Sequence, residues 1–264
     1  MTANKKTAFA LLCLSVILLC LVSARIGQAG AVEISLEEEN PEDSEYVLPD
    51  TVQVTPAEPE QSPEPTGPVL PEINISDWQY KLVNETYVLS SSFAPDVTEV
   101  GDQQYFDARA VDALNAMLEG ANAAGYTTCI RTGYRPYSSQ AYIFFGKASQ
   151  IAWDGTVEYA EAEVLARQYV AYPGTSEHQL GLAADIMDRA ETSMVAEKVA
   201  DLPVLVWLKE HCAEYGFILR YPEDKKDITG WYEPWHFRYV GTEAAQFIME
   251  EGLCLEEFVA LYQE

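Results

Sequence analysis

The sequence predicts an α+β fold over residues 77–264, a single domain with a mostly antiparallel sheet flanked by helices. The first long segment has the apolar spacing of an amphipathic helix, and short runs of β-forming residues are interleaved with the later helical segments. Loops separate these segments, an order typical of α+β domains. The region is also long enough to bury one sizeable core, and we expect a monomer.

The predicted helices have apolar residues three and four positions apart, and they cover 107–124, a segment that follows Gly133, 157–171, 203–215 and the C-terminus. The predicted strands are rich in β-branched, aromatic and other apolar residues, and they cover 126–130, 181–187, 217–221 and 236–240. Glycine or proline follows two of the helices as a stop signal. This arrangement places His178 on a loop, Asp185 on a strand and His236 at the start of another strand.

The first 76 residues differ in composition from the rest. Lys5 and Lys6 precede an uncharged apolar run at 8–24, so residues 1–30 are predicted to be a signal peptide or an N-terminal membrane anchor. Arg25 interrupts the region where cleavage would occur, which favours the anchor. Residues 31–76 are acidic and proline-rich, with no lysine or arginine between Arg25 and Lys81, and they are predicted to be a disordered, semi-stiff linker.

Charge and cysteine content exclude some classes of function. The formal net charge is -26, which disfavours binding to nucleic acid. No DxDxDG-like loop is present, which argues against a calcium-binding adhesion protein. Cys129, Cys212 and Cys254 are an odd number in the predicted domain, and none has a second cysteine at metal-ligand spacing. Buried free thiols are the simpler interpretation, although one disulfide in an exported protein stays open.

Two of the three histidines lie in short runs that also contain acidic residues. His178, Asp185 and His236 together offer two imidazoles and a carboxylate, a three-ligand set that suits catalytic zinc with a fourth position for water. Glu233, three residues before His236, is the candidate base beside that water. The spacing alone is ordinary and no HExxH motif is present, so a purely structural role for these residues stays open at this point.

Three runs carry a resemblance to a known family. SEHQLGLAAD at 176–185 and EPWHFRYVG at 233–241 resemble the SxHxxGxAxD and ExWHxRYVG signatures of VanY-type D-alanyl-D-alanine carboxypeptidases. TGYRPYSSQ at 132–140 resembles the SGYRSxxxQ segment of that family, with Thr132 in place of the first serine and Pro136 in place of the second. The resemblance covers about residues 77–264.

The resemblance implies a zinc peptidase that acts on bacterial cell-wall peptides, with the fold that these enzymes share with the zinc-containing domain of hedgehog proteins. It implies that Arg135 holds the terminal carboxylate of the substrate, assisted by Gln140 and Ser176. A guanidinium suits this role because it grips a carboxylate with two parallel hydrogen bonds. The expected partners are peptidoglycan stem peptides, and the expected location is extracytoplasmic in the bacterial cell envelope, membrane-anchored or secreted.

Three functions stay open from the sequence. The first is a D-Ala-D-Ala carboxypeptidase, and the second is an L,D-carboxypeptidase acting on tetrapeptide stems. The third is a non-catalytic, zinc-bearing wall-binding module, which would have no need of Glu233. We also expect Arg238 to hold Asp185 or another carboxylate in place, Trp235 to pack behind the metal, and His211 to be a structural or solvent-facing residue.

Overall fold

The computed structural model describes residues 69–263, so the predicted signal peptide or anchor and most of the predicted linker lie outside the described residues. The strands are β1 Val97–Gly101, β2 Gln104–Asp107, β3 Thr128–Thr132, β4 Ala183–Asp188, β5 Phe217–Tyr221 and β6 Glu233–Tyr239. The α-helices are α1 Val111–Ala123, α2 Tyr137–Ile151, α3 Tyr159–Ala166, α4 Ala196–Val199, α5 Pro203–His211, α6 Lys226–Thr229, α7 Thr242–Glu250 and α8 Leu255–Ala260.

A four-stranded antiparallel sheet forms the centre, in the order β3-β4-β6-β5. This confirms the predicted α+β class and the mostly antiparallel sheet. Asp185 on β4 lies directly opposite His236 on β6. Because side chains of directly opposed residues lie on the same face of a sheet, the register alone brings these two residues together. Strand β6 begins at Glu233, three residues earlier than predicted, so Glu233 and His236 share one rigid element.

Strands β1 and β2 form a separate hairpin that the sequence analysis did not predict. Asp102 and Gln103 at its turn have φ angles of 51° and 58°, in the left-handed region that two-residue hairpin turns require. The Asp102 side chain accepts a hydrogen bond from the Ile130 backbone N–H at 3.1 Å and pairs with Arg189 at 2.8 Å. These contacts tie the hairpin turn to the edge of the central sheet.

Helices cover the sheet and bury three apolar clusters. Helix α1 contributes Leu114, Met117 and Ala121 to the largest cluster, close to the predicted apolar face. Helices α7 and α8 build a second cluster against Ile218, and α2 and α3 build a third around Phe144. The predicted helix at 157–171 is shorter than expected, and the one at 203–215 ends as a 3-10 turn, Cys212–Tyr215.

His178 lies on a one-turn 3-10 helix, Glu177–Leu180, where a loop was predicted. Gly181 ends this turn with a φ angle of 74°, and its carbonyl accepts a hydrogen bond from Asp107 N at 2.8 Å. A Cβ at this position would lie 3.3 Å from that same Asp107 nitrogen. A glycine therefore lets the chain turn sharply from His178 into strand β4.

The described residues begin inside the predicted linker. Ile73 and Ile75 are partly buried against the second apolar cluster, and the Tyr262 hydroxyl donates to Pro71 O at 2.8 Å. The domain boundary at residue 77 stays a prediction. The three cysteines of the predicted domain are free and buried. Across residues 69–263, no helix combines the length and the apolar character needed to cross a membrane.

Candidate active site

The predicted metal ligands converge from a turn and two adjacent strands. His178, Asp185 and His236 are buried, and one candidate ligand atom from each lies within 4.8 Å of the others. The His178 Nε2 to Asp185 Oδ2 distance is 3.3 Å, and the His236 Nδ1 to Asp185 Oδ1 distance is 3.0 Å. The two imidazole rings are 4.9 Å apart between centroids. The carboxylate thus stands between two nitrogens that face the same small volume.

The protonation state of His178 indicates whether a cation fits between His178 and Asp185. His178 Nδ1 lies 2.8 Å from the carbonyl oxygen of Gly133, so Nδ1 carries the proton and donates it. Burial lowers the pKa of His178, which favours the neutral ring. The neutral ring then points the lone pair of Nε2 at a carboxylate oxygen, and two acceptors face each other. A divalent cation between them resolves this contact, and a donor set of two histidines and one aspartate suits zinc.

The other two groups have pKa values shaped by their mutual contacts. Burial alone would raise the pKa of Asp185, but the two histidines outweigh it and hold the pKa well below its usual range. Burial alone would lower the pKa of His236, but its hydrogen bond to Asp185 and the nearby Glu177 carboxylate raise it to about 9. A metal ligand must be a neutral imidazole, so metal binding would release a proton from His236.

Glu233 lies at the edge of this group. Its Oε2 is 3.5 Å from His236 Nδ1, and 27% of its side chain is exposed. Burial raises the pKa of the Glu233 carboxyl to about 7, opposed by His236 and supported by the Asp185 charge. A bound cation would lower this pKa because it favours the ionised carboxylate. Without a cation the Glu233 carboxyl titrates near neutral pH, and with a cation it would be the ionised carboxylate, the form that can accept a proton as a general base must.

Arg135 follows strand β3 and lies in the turn before α2. Its backbone N–H donates to His178 O at 3.0 Å, which fixes it beside the predicted metal ligands. Its Nε donates to Gln140 Oε1 at 2.7 Å, and its Nη2 donates to Ser176 Oγ at 3.4 Å. Gln140 in turn donates from Nε2 to Ala171 O at 2.6 Å. Both ends of Gln140 are occupied, so this side chain orients the guanidinium.

All seven predicted site residues line one cleft of about 280 Å³. Tyr221, Trp231, Trp235 and Met194 complete part of its wall. Three larger clefts in the described part of the chain, of about 410, 630 and 740 Å³, contain none of the seven. The geometry gathers the predicted residues, while the role of each stays a prediction.

A buried ion-pair network, which was not predicted from the sequence, lies behind the site. Glu177 Oε1 accepts hydrogen bonds from Arg220 Nε at 2.8 Å and from Arg238 Nη1 at 2.6 Å. Arg238 was expected to hold Asp185 or another carboxylate, and it holds Glu177. The available signal was the acidic residue directly before His178, together with two arginines on strands of the same sheet. His211 lies outside the cleft and pairs with Glu214 at 2.7 Å.

Comparison with known proteins supports a family assignment. Residues 103–242, more than half of the chain, match the family model described as VanY, D-alanyl-D-alanine carboxypeptidase. A D-alanyl-D-alanine carboxypeptidase of Enterococcus faecalis (strain ATCC 700802 / V583) is 38% identical over 184 residues. That match covers 69% of this chain and 66% of the relative, so the chain spans just under two thirds of its length.

Two solved structures are similar over the described region. The first is a variant of the vancomycin resistance D,D-pentapeptidase VanY from a VanB-type cassette, in complex with Zn(II). It is 38% identical with a TM-score of 0.60, and the match covers 69% of this chain and 99% of that one. The LD-carboxypeptidase LdcB is 37% identical with a TM-score of 0.58, and the match covers 68% and 84%. The fold, the motifs and these matches agree: the chain belongs to the VanY family of D-alanyl-D-alanine carboxypeptidases.

Proposed function

We propose that this protein is a zinc-dependent carboxypeptidase that removes the terminal D-alanine from peptidoglycan stem peptides outside the membrane. One observation carries the proposal. A partly buried guanidinium, a carboxylate with a raised pKa and a buried histidine–aspartate–histidine group line a single cleft. Family membership and the Zn(II) complex of a VanY relative support the same reading.

His178, Asp185 and His236 would hold the metal, His178 through Nε2 and His236 through Nδ1. Zinc at such a site supplies an activated water and polarises the carbonyl to be attacked. The protein contributes a fixed ligand geometry, because two ligands lie on paired strands and the third on a turn held by Gly133. Such rigidity suits a site that must hold its ligands within a narrow range of positions.

Arg135 would bind the free carboxylate at the end of the substrate. The Nε of Arg135 already donates to Gln140, and one hydrogen of its Nη2 donates to Ser176. Within residues 69–263, its Nη1 has no hydrogen-bond acceptor. The remaining donors lie on the outer edge of the guanidinium and can form a fork with a carboxylate. Fixing the carboxylate fixes the distance from the chain end to the metal ligands, so only the last peptide bond reaches them.

Glu233 would take the proton from the attacking water at a carboxylate oxygen and deliver it to the leaving amine nitrogen. An oxygen of Glu233 lies beside His236 Nδ1, the nitrogen that we assign to the metal, so the base would be close to the metal. A wall-binding module without activity would not need a carboxylate there. Glu233 therefore favours the enzyme over a binding module.

The similarity to LdcB supports a second candidate, an L,D-carboxypeptidase that acts on tetrapeptide stems. Both candidates use the same groups, and they differ in the stereochemistry of the residue before the scissile bond. We further propose that the protein is monomeric and either anchored by its N-terminal segment or secreted.

Release of D-alanine by the full chain, with zinc or with a chelator, tests these proposals on matched pentapeptide and tetrapeptide stems. Chelator-sensitive release from the pentapeptide alone supports the D,D-carboxypeptidase. Release from the tetrapeptide alone moves the assignment to the L,D-carboxypeptidase. A zinc-loaded protein that releases nothing from either peptide would overturn the enzymatic proposal in favour of a binding module.

A further inference from the structure

Two buried polar atoms behind the active site face each other without any hydrogen-bond partner in the described part of the chain. They are Nε2 of His236 and Oε2 of Glu177, 3.7 Å apart. Buried polar groups without a partner are rare because each lowers the stability of the folded chain. Their mutual approach is the simplest explanation for both, since a shift of about 0.8 Å would bring them to ordinary hydrogen-bond distance.

The Glu177 carboxylate is clamped, so its free oxygen has a fixed direction. Its Oε1 accepts from both Arg220 and Arg238, and its side chain has no exposed surface. Arg220 is itself held by two hydrogen bonds to Glu256, at 2.6 and 2.8 Å. Arg238 also donates to main-chain oxygens of the segment that precedes residue 82. With both arginines fixed, Glu177 cannot rotate, and Oε2 stays directed at the His236 ring.

The charge of Glu177 makes Oε2 an acceptor only. Two guanidinium groups donate to Oε1 of this carboxylate, and their positive charges favour its ionised form. An ionised carboxylate has no proton to donate. The group on His236 that can satisfy it is therefore the Nε2–H.

We propose that Glu177 is a positioning residue that fixes the tautomer of His236. By accepting the Nε2–H, it leaves the lone pair on Nδ1, the nitrogen that faces Asp185 at 3.0 Å and that we assign to the metal. Carboxylates that hold the second nitrogen of a metal-binding histidine orient the ring and raise its basicity. This inference rests on the proposed ligand set, and it adds a residue that does not touch substrate or metal.

The replacement Glu177→Gln tests this inference because it replaces the hydrogen-bond acceptor that faces His236 Nε2 with a donor. The single oxygen of the amide would stay with the two arginines, which are donors, and the amide NH₂ would then face His236 Nε2. A donor at that place favours the tautomer with the proton on Nδ1, the wrong nitrogen for metal binding. We expect the dissociation constant for zinc to rise about 10–100-fold, measured by competition with a chelating dye.

Glu256→Gln is the matched control. It removes a carboxylate from the same arginine network, one that binds the Nη atoms of Arg220, whereas Glu177 binds its Nε. If zinc binding depended only on an intact arginine network, both variants would bind zinc more weakly. If Glu177 positions His236, only the Glu177→Gln variant would do so. We expect a change in zinc affinity of less than about 3-fold for Glu256→Gln, well below the range given above for an orienting partner.

Selective ¹⁵N labelling of histidine gives a second readout that does not depend on activity or on the variant folding. The full chain has only three histidines, so the ring nitrogens of His236 can be assigned directly. In the zinc-loaded wild-type chain we expect a proton on His236 Nε2 that exchanges slowly and resonates downfield, as in a hydrogen bond to a carboxylate. Fast exchange of that proton, a proton on Nδ1, or equal loss of zinc in both variants would overturn the inference.

Failure of the inference can be told apart from failure of the proposed metal site. If added zinc leaves the ring nitrogen shifts of His178 and His236 unchanged in the wild-type chain, the proposed ligand set is wrong and the positioning role falls with it. If zinc shifts both rings but the Glu177→Gln chain binds zinc as tightly as wild type, only the positioning role is wrong.

Discussion

Replacing Gln140 by leucine should weaken substrate capture by disturbing Arg135. Gln140 is 1% exposed, and its two hydrogen bonds, to Arg135 Nε and to Ala171 O, would both be lost. A buried group left without its partner costs about 1–3 kcal/mol. If the misoriented guanidinium stabilises the transition state less by a similar free energy, kcat/KM for a peptide with a free terminal carboxylate should fall about 5–150-fold. The conversion uses about 1.36 kcal/mol for each tenfold change in rate.

The assay compares D-alanine release from a peptide with a free terminus and from the same peptide with an amidated terminus. Gln140 contacts Arg135, the residue proposed to bind the carboxylate, so most of the loss should concern the free peptide and appear in KM. Gln150→Leu on the same helix is the matched control because Gln150 is exposed and distant in sequence from the cleft residues. An equal loss on both peptides, or an equal loss in the control, would refute the reasoning.

Three further outcomes follow from the site. Glu233→Gln should retain zinc and lose about 10²–10⁴-fold in kcat, measured as single-turnover release, and wild-type turnover would contradict its role as base. Arg135→Ala should raise KM chiefly for peptides with a free carboxylate, so equal losses on free and amidated peptides would exclude it as the carboxylate-binding residue. Zinc at 1,000 times its dissociation constant should stabilise the chain by about 4 kcal/mol in thermal unfolding. His178→Gln should abolish that stabilisation and His211→Gln should keep it.

The parts that sequence reasoning predicted well are those with strong local signals. Strand β5 has the predicted bounds, because Gly216 and Pro222 stop the chain on both sides of an apolar run. The runs around His178 and His236 were also recognisable, because histidine is rare in this chain and both runs resemble family signatures. The sequence could place Asp185 on a strand, but only the antiparallel register shows that His236 lies directly opposite.

The missed features depend on contacts far apart in sequence or on unusual backbone angles. The β1–β2 hairpin has mainly exposed or half-buried strand residues, so its apolar alternation is weak, and its turn uses non-glycine residues at positive φ. The helix predicted at 157–171 ends at Ala166, because Val170 and Tyr172 pack on the third apolar cluster beyond the end of the helix. In the sequence, Glu177 is an ordinary polar neighbour of His178. Only the structure shows that Arg220 and Arg238 bind its carboxylate.

The hydrogen bonds from Arg238 to the first residues of the domain limit where a protease could separate the catalytic region from the N-terminal segment. Arg238 Nη2 donates to the carbonyl oxygens of Gln79 and Lys81 at 3.0 and 2.9 Å, and its side chain is fully buried. Cleavage before residue 77 would leave both acceptors in place. Cleavage after Lys81 would strip a buried cation of two acceptors, at the strand that carries His236. A cut on the N-terminal side of Gln79 therefore leaves both main-chain acceptors of Arg238 in the domain.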